Sequence, residues 1–263
     1  MNNKRIIFSL LYSCGYFYLS RNFRLQKVGN VNWIKHNYNF GETCNSIDEL
    51  IIILVTQNPD MQEIKEYFNN VKILKKNFFV PLTLGGGIRT FEHVKKCFDN
   101  GADKILINTI FFDNKKLVDK ISYDFGDQAI SLMVDYKNEK NFFYSYKNSG
   151  RELAKKIDKK FFNEINNSRV GEVIFNSIDK DGNAAGFDEN FIKEFAPYLK
   201  KPFLAMGGAG KPDHITNVLK FKSISGVITA NLFNFLGTGL NKARNEAIKN
   251  NIPLAIFNDI LEN

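Results

Sequence analysis

Pro81-Leu82-Thr83-Leu84-Gly85-Gly86-Gly87-Ile88-Arg89 decides the fold. A short apolar run of strand length ends in three consecutive glycines, and Phe91, Val94 and Phe98 then fall at helical spacing. Strand, glycine turn and helix in that order make the βα unit from which parallel sheets are built. A second unit of the same design stands half a chain away, where Pro202 to Met206 runs into Gly207-Gly208-Ala209-Gly210 and then Ile215, Val218 and Leu219. Each turn precedes a helix and a further short strand, which reads as one quarter-barrel unit used twice.

Outward from these two units, strands are predicted at Arg5 to Leu11, Leu50 to Val55, Val80 to Leu84, Lys104 to Ile107, Ala129 to Val134, Glu172 to Asn176, Pro202 to Met206 and Gly226 to Ala230. Helical spacing also joins Leu153, Ile157 and Phe161. Alternation by itself fits an open doubly wound sheet as well as a barrel. The two-fold internal repeat of half-barrels favours closure, so the expected architecture is an α/β fold, a single (β/α)8 barrel spanning residues 1–263 as one domain. Asn141 to Gly150, with Phe142, Phe143, Tyr144 and Tyr146, reads as a hairpin-like insertion after the fifth strand. Tyr12 to Gly41 is too long for an ordinary βα loop and is expected to hold an active-site lid together with the first helix.

Composition agrees with this size of core. The chain has 263 residues, 44% of them hydrophobic, 24% charged, with 25 Phe, which is ordinary for a globular protein and excludes disorder. Its net charge of +8 suits anionic partners, yet the cations are scattered in pairs such as Lys115-Lys116, Lys155-Lys156 and Lys159-Lys160, as on solvated helix faces. No long basic run points to nucleic acid. Cys14, Cys44 and Cys97 lack CxxC spacing, which argues against a disulfide framework or a zinc site and suits a reducing cytoplasm. The stretch from Lys4 to Leu11 imitates a signal segment but has no cleavage site, and no apolar run approaches the roughly 20 residues that span a bilayer. Cytoplasmic localisation is expected, with no membrane partner, no metal and no cofactor.

In such a barrel ligands bind at the C-terminal ends of the strands, where glycines let backbone N–H groups approach phosphate oxygens. One candidate phosphate site combines Gly86 and Gly87 with Asn108 and Thr109. The other combines Gly207, Gly208, Ala230 and Asn231 with Asp181 and Gly182. Glycines in these places serve a tight connection equally well, and Asp179-Lys180-Asp181-Gly182 also fits a surface turn. Asp135 ends the fifth strand and is a candidate general acid or base; a helix cap or a salt bridge with Lys137 is the plainer alternative. At the opposite ends of the strands stand Arg5, Glu49, Lys104 and Glu172, either a ring of alternating charge or four solvated ends.

Lys4-Arg5-Ile6-Ile7, Ile47-Asp48-Glu49-Leu50, Pro81 to Arg89, Gly101-Ala102-Asp103-Lys104, Ser177 to Gly182 and Gly207 to Gly210 together resemble the cyclase subunit of imidazole glycerol phosphate synthase. The resemblance implies a TIM barrel that binds a phosphorylated ligand and joins ammonia to a bis-phosphorylated ribonucleotide. It also implies a class I glutaminase subunit docked on the N-terminal face, forming a heterodimer, with Arg5, Glu49, Lys104 and Glu172 as the gate through which ammonia enters. The family pairs two aspartates as acid and base, and Leu11 stands in place of the one on the first strand while Asp135 matches the other. Leu19, Leu54 and Met206 also depart from its pattern. A conduit kept beside a broken catalytic pair is similar to the branch of the family that works with a sugar amidotransferase in lipopolysaccharide-type surface-polysaccharide synthesis. An active histidine-pathway cyclase using Asp179 or Asp181 as its second acid is the alternative.

Overall fold

A computed structural model describes residues 3–37, 46–76, 78–230 and 239–255. Among these, eight parallel strands form the barrel: β1 (Arg5–Ser13), β4 (Glu49–Leu54), β5 (Leu82–Gly85), β6 (Lys104–Ile107), β7 (Ile130–Glu139), β10 (Glu172–Ser177), β11 (Phe203–Met206) and β12 (Ile224–Thr229). Neighbours pair in that order, and β10 pairs with β7, from Glu172↔Ser131 to Ser177↔Tyr136, so the sheet has no open barrel edge. All eight predicted strands are present. The helices are α1 (Val31–Asn37), α2 (Met61–Lys75), α3 (Phe91–Asp99), α4 (Thr109–Asp113), α5 (Lys115–Phe125), α6 (Lys159–Asn166), α7 (Glu189–Phe195), α8 (Pro212–Leu219) and α9 (Gly239–Lys249). No described helix is long and apolar enough to cross a membrane.

Strand residues alternate between two cores, as the period of two in a pleated strand requires. Ile6, Phe8, Leu50, Ile52, Leu82 and Leu84 pack outward against the helices in the large cluster. Ile7, Ile51, Leu106, Met133, Ile174, Leu204 and Ile228 fill the barrel interior. The abundance of Phe has a local use. Phe162, Phe175, Phe191, Phe195 and Phe203 form one cluster between β10, β11, α6 and α7, with ring centroids 4.7 Å apart for Phe175–Phe203 and 5.5 Å for Phe162–Phe195. Such pairs add about 0.5–1.5 kcal/mol each beyond the burial of their area.

Two excursions rise from the C-terminal end of the barrel. The first continues β1 into a hairpin of β2 (Tyr16–Arg21) and β3 (Arg24–Gly29), so the segment expected to hold a lid and a helix contains a β-hairpin before α1. The second extends β7 past Asp135 and folds back through β8 (Phe142–Lys147) and β9 (Glu152–Lys156), a three-stranded flap rather than a simple hairpin. This corrects the reading of Leu153 as the start of a helix: it lies in β9, half exposed, and α6 begins only at Lys159. The physical stop is Asp158, whose carboxylate accepts the Phe161 N–H at 3.0 Å and caps the helix there. Replacing Asp158 by Ala is expected to cost about 1 kcal/mol in urea unfolding, the usual loss for a deleted N-cap.

Candidate functional site

The interior parity that places Ile7 and Ile51 inside also points Arg5, Glu49, Lys104 and Glu172 inward at the N-terminal mouth. There the four close a ring. Arg5 reaches Glu49 at 3.0 Å and Glu172 at 2.7 Å, and Lys104 reaches each of the same two carboxylates at 2.9 Å. One layer higher, Thr83 Oγ1 donates to Glu49 and Ser131 Oγ to Glu172, both at 2.5 Å. Burial, the largest influence on Glu172, opposes its ionisation, but Arg5 and then Lys104 outweigh it and hold its carboxyl below the usual range. Beside Arg5 in the register stands Gly226, where a Cβ would meet the Arg5 carbonyl oxygen at 2.7 Å, so the close approach of the two strands below the ring requires glycine.

Above the ring the interior is mainly apolar, through Ile51, Leu106, Ile174 and Ile228 with the buried Ser9 hydroxyl beside Ile51, and becomes polar again at the C-terminal mouth. Asp135 lies there, buried, with one carboxylate oxygen accepting Asn176 Nδ2 at 2.8 Å and the other Asn108 Nδ2 at 3.2 Å. Burial pushes its pKa from 3.8 up to about 7; the Asn176 hydrogen bond works against this and the charge of Asp181 reinforces it. A carboxyl poised near neutrality suits proton transfer in either direction. Leu11 shares this inward parity on β1 and is likewise buried, so the strand-one position offers no proton.

The predicted phosphate groups come together at this mouth by strand adjacency. Gly86 and Gly87 leave β5 beside Asn108 and Thr109 leaving β6, while Gly207 and Gly208 leave β11 next to Ala230. Asn231 lies outside the described residues, as does Cys44. Several of the groups already have protein partners. A Cβ on Gly86, at φ 88°, would lie 1.9 Å from the Leu54 carbonyl oxygen, so this glycine is required by strand packing whatever it binds. Thr109 Oγ1 accepts the Asn148 N–H at 3.2 Å, and Asn148 in turn accepts Arg89 at 2.9 Å, tying the flap to the first glycine turn. Asp181 is turned toward the β2–β3 hairpin: its carboxylate accepts Ser20 Oγ at 2.5 Å and the Phe23 N–H at 3.0 Å. Gly182 completes that seam, since a Cβ there would lie 2.2 Å from the Ser20 carbonyl oxygen. Of the departures from the resembled pattern, Met206 faces inward, whereas Leu54 packs outward among the helices. Sequence reading missed Asn176, Ser20, Asn148 and Arg89 as members of the site, and only their places next to recognised turns signalled them.

The profile of the family described as histidine biosynthesis protein matches residues 44–238. The chain belongs to that family. Among members of this histidine biosynthesis family, a protein of Parasynechococcus marenigrum (strain WH8102), provisionally named imidazole glycerol phosphate synthase subunit hisF2, is 38% identical over 247 residues, 94% of this chain and 91% of its own. The imidazole glycerol phosphate synthase subunit HisF of Leptospira biflexa is 36% identical over 193 residues, 73% of this chain and 75% of its own. That of Sulfurisphaera tokodaii is 37% identical over 173 residues, covering 66% and 69%.

Two measurements test the electrostatics of this family member. Asp135 has its folded pKa above its unfolded value, so the cost of ionising it is absent below about pH 4 and complete above pH 7; relative to the native chain, Asp135→Asn should gain about 2–4 kcal/mol in urea unfolding as pH rises across that window. Lys104→Met leaves two buried carboxylates with one cation and should cost about 3 kcal/mol near pH 7. Because Glu172 is depressed, its contribution exists above its ordinary value of 4.5 and is lost as pH falls through the folded value, so the penalty of the Lys104 variant should shrink in acid.

Proposed function

We propose that this barrel is the ammonia-delivering subunit of a glutamine amidotransferase system and that its acceptor is not the ribonucleotide of the histidine pathway. A class I glutaminase docks on the N-terminal face, and neutral ammonia enters through the ring of Arg5, Glu49, Lys104 and Glu172 and crosses the apolar interior. The acceptor chemistry then resides on a third protein, a sugar amidotransferase that builds acetamidino groups on surface-polysaccharide sugars. A phosphorylated ligand at the glycine turns would hold the mouth in its working form.

The observation that carries this reading is the contrast between the two ends of the barrel. All four ring residues are present, each anion bonded to both cations, while at the other mouth the inward place on β1 is held by buried Leu11, so that strand supplies Asp135 with no partner carboxyl. The alternative, a histidine-pathway cyclase with a relocated second acid, draws support from the names of the relatives. Its two candidate acids are engaged elsewhere: Asp181 holds the hairpin, and Asp179 accepts the Asn138 N–H at 2.9 Å.

Turnover of the family's ribonucleotide with ammonium salt, which bypasses any glutaminase, separates the two. The native chain should be slower than a cyclase with both acids by about 10² to 10⁴, the usual worth of one general acid–base group. Leu11→Asp, checked for folding by circular dichroism, should recover part of that loss. Full turnover by the native chain would sink the proposal and restore the cyclase.

A further inference from the structure

We infer that the N-terminal face binds its partner through Phe79, which enters an apolar pocket rimmed by carboxylates on the glutaminase. The inference rests on the docking face of the proposed function and adds to it the anchor and the chemistry of the partner surface.

Phe79 is fully exposed, the most exposed of the large apolar side chains among the described residues, and its neighbours Val80 and Pro81 continue the apolar surface. Its position is set by the fold. The segment Phe79-Val80-Pro81 leads into β5, the strand between β4 and β6, whose first residues are Glu49 and Lys104. Phe79 therefore stands at the edge of the mouth that the charge ring closes. An exposed aromatic beside a built polar feature is unfavourable in water and becomes favourable when a partner covers it, which is why interface centres are rich in aromatics.

The rest of the rim fixes the sign of the partner. Lys72, Lys75 and Lys76 crowd the last turn of α2 and its exit just before Phe79, and Arg169, Lys200 and Lys222 are exposed on the loops that enter β10, β11 and β12. Asp99, Asp103 and Asp127 share the face; Asp103 accepts the Leu82 N–H at 2.8 Å, and Asp127 lies 3.9 Å from Arg169. Cations thus predominate around the mouth, in a chain whose net charge is +8. A second copy of this chain would bring like charge against like charge, so an acidic surface on a different protein is the complementary occupant.

Titration calorimetry of the native chain with the class I glutaminase of the same organism should give binding that weakens steeply with added salt. Phe79→Ser should weaken it by about 30-fold or more, the effect of removing an aromatic anchor. Lys75→Glu combined with Lys76→Glu should weaken it further at low salt than at high salt. Met61→Ser, at the opposite end of α2, should leave binding and glutamine hydrolysis unchanged. Because Phe79 makes no core contact, the variant's unfolding curve should match that of the native chain. If the native chain binds the glutaminase and Phe79→Ser binds equally well, the anchor is refuted while the docking face stands. If the native chain does not bind, both fail together. If sedimentation shows a native dimer that Phe79→Ser dissociates, the face is a self-association surface and the inference is overturned.

Discussion

A closed parallel sheet gives each strand a single choice of which residues face inward, and everything functional in this molecule follows from that constraint. The β7–β10 pairing removes the last open edge, so no strand can slip by one residue without turning its whole apolar set inside out. Closure also fixes height. Arg5, Glu49, Lys104 and Glu172 begin their strands or lie at their first residues, and the register brings them to one level, where each anion meets both cations. The same parity carried to the other end of the strands delivers Leu11, Asn108, Asp135 and Asn176 to the opposite mouth.

The two mouths treat buried charge in opposite ways. At the N-terminal end, desolvation is offset by direct pairing, the Thr83 hydroxyl takes the remaining oxygen of Glu49, and the Ser131 hydroxyl adds a second donor to the Glu172 oxygen that Lys104 holds. At the C-terminal end Asp135 has only amide donors, which cannot neutralise it, so burial raises its pKa instead. One end is therefore stabilised as a neutral ring of charges, and the other keeps a carboxyl that holds its proton more tightly than an ordinary one, up to about pH 7. Between them lies a side-chain layer with no ionisable group, where an ion would be desolvated without a partner.

Much of this could be read in the amino-acid sequence because it is local. The strand runs, both glycine turns and the α3 and α8 periodicities depend on neighbours a few residues apart. What escaped was set by distant partners. Leu153 and Phe161 share helical spacing, yet β8 recruits the first into a sheet and Asp158 caps the helix only after it. Asp181 has the residue type and place of a ligand-binding turn, and nothing near it in sequence tells that Ser20 and the Phe23 N–H take its carboxylate. Leu54 looks like a mouth residue until the pleat sends it outward into the helix layer.

The hairpin contact gives Leu11 a wider meaning than a lost acid. An aspartate on β1 would place a second carboxylate in the mouth that already holds Asp135, and each buried ion costs several kcal/mol unless paired. Lys137 leans over the Tyr146 ring, and Lys180 lines the outer cleft with His214. With leucine there instead, no further carboxylate joins Asp135 and Asp181, and the hairpin of β2 and β3 packs down on Asp181 and Gly182. Leucine at this position therefore keeps an uncharged side chain where an aspartate would add a desolvated ion to the mouth that holds Asp135.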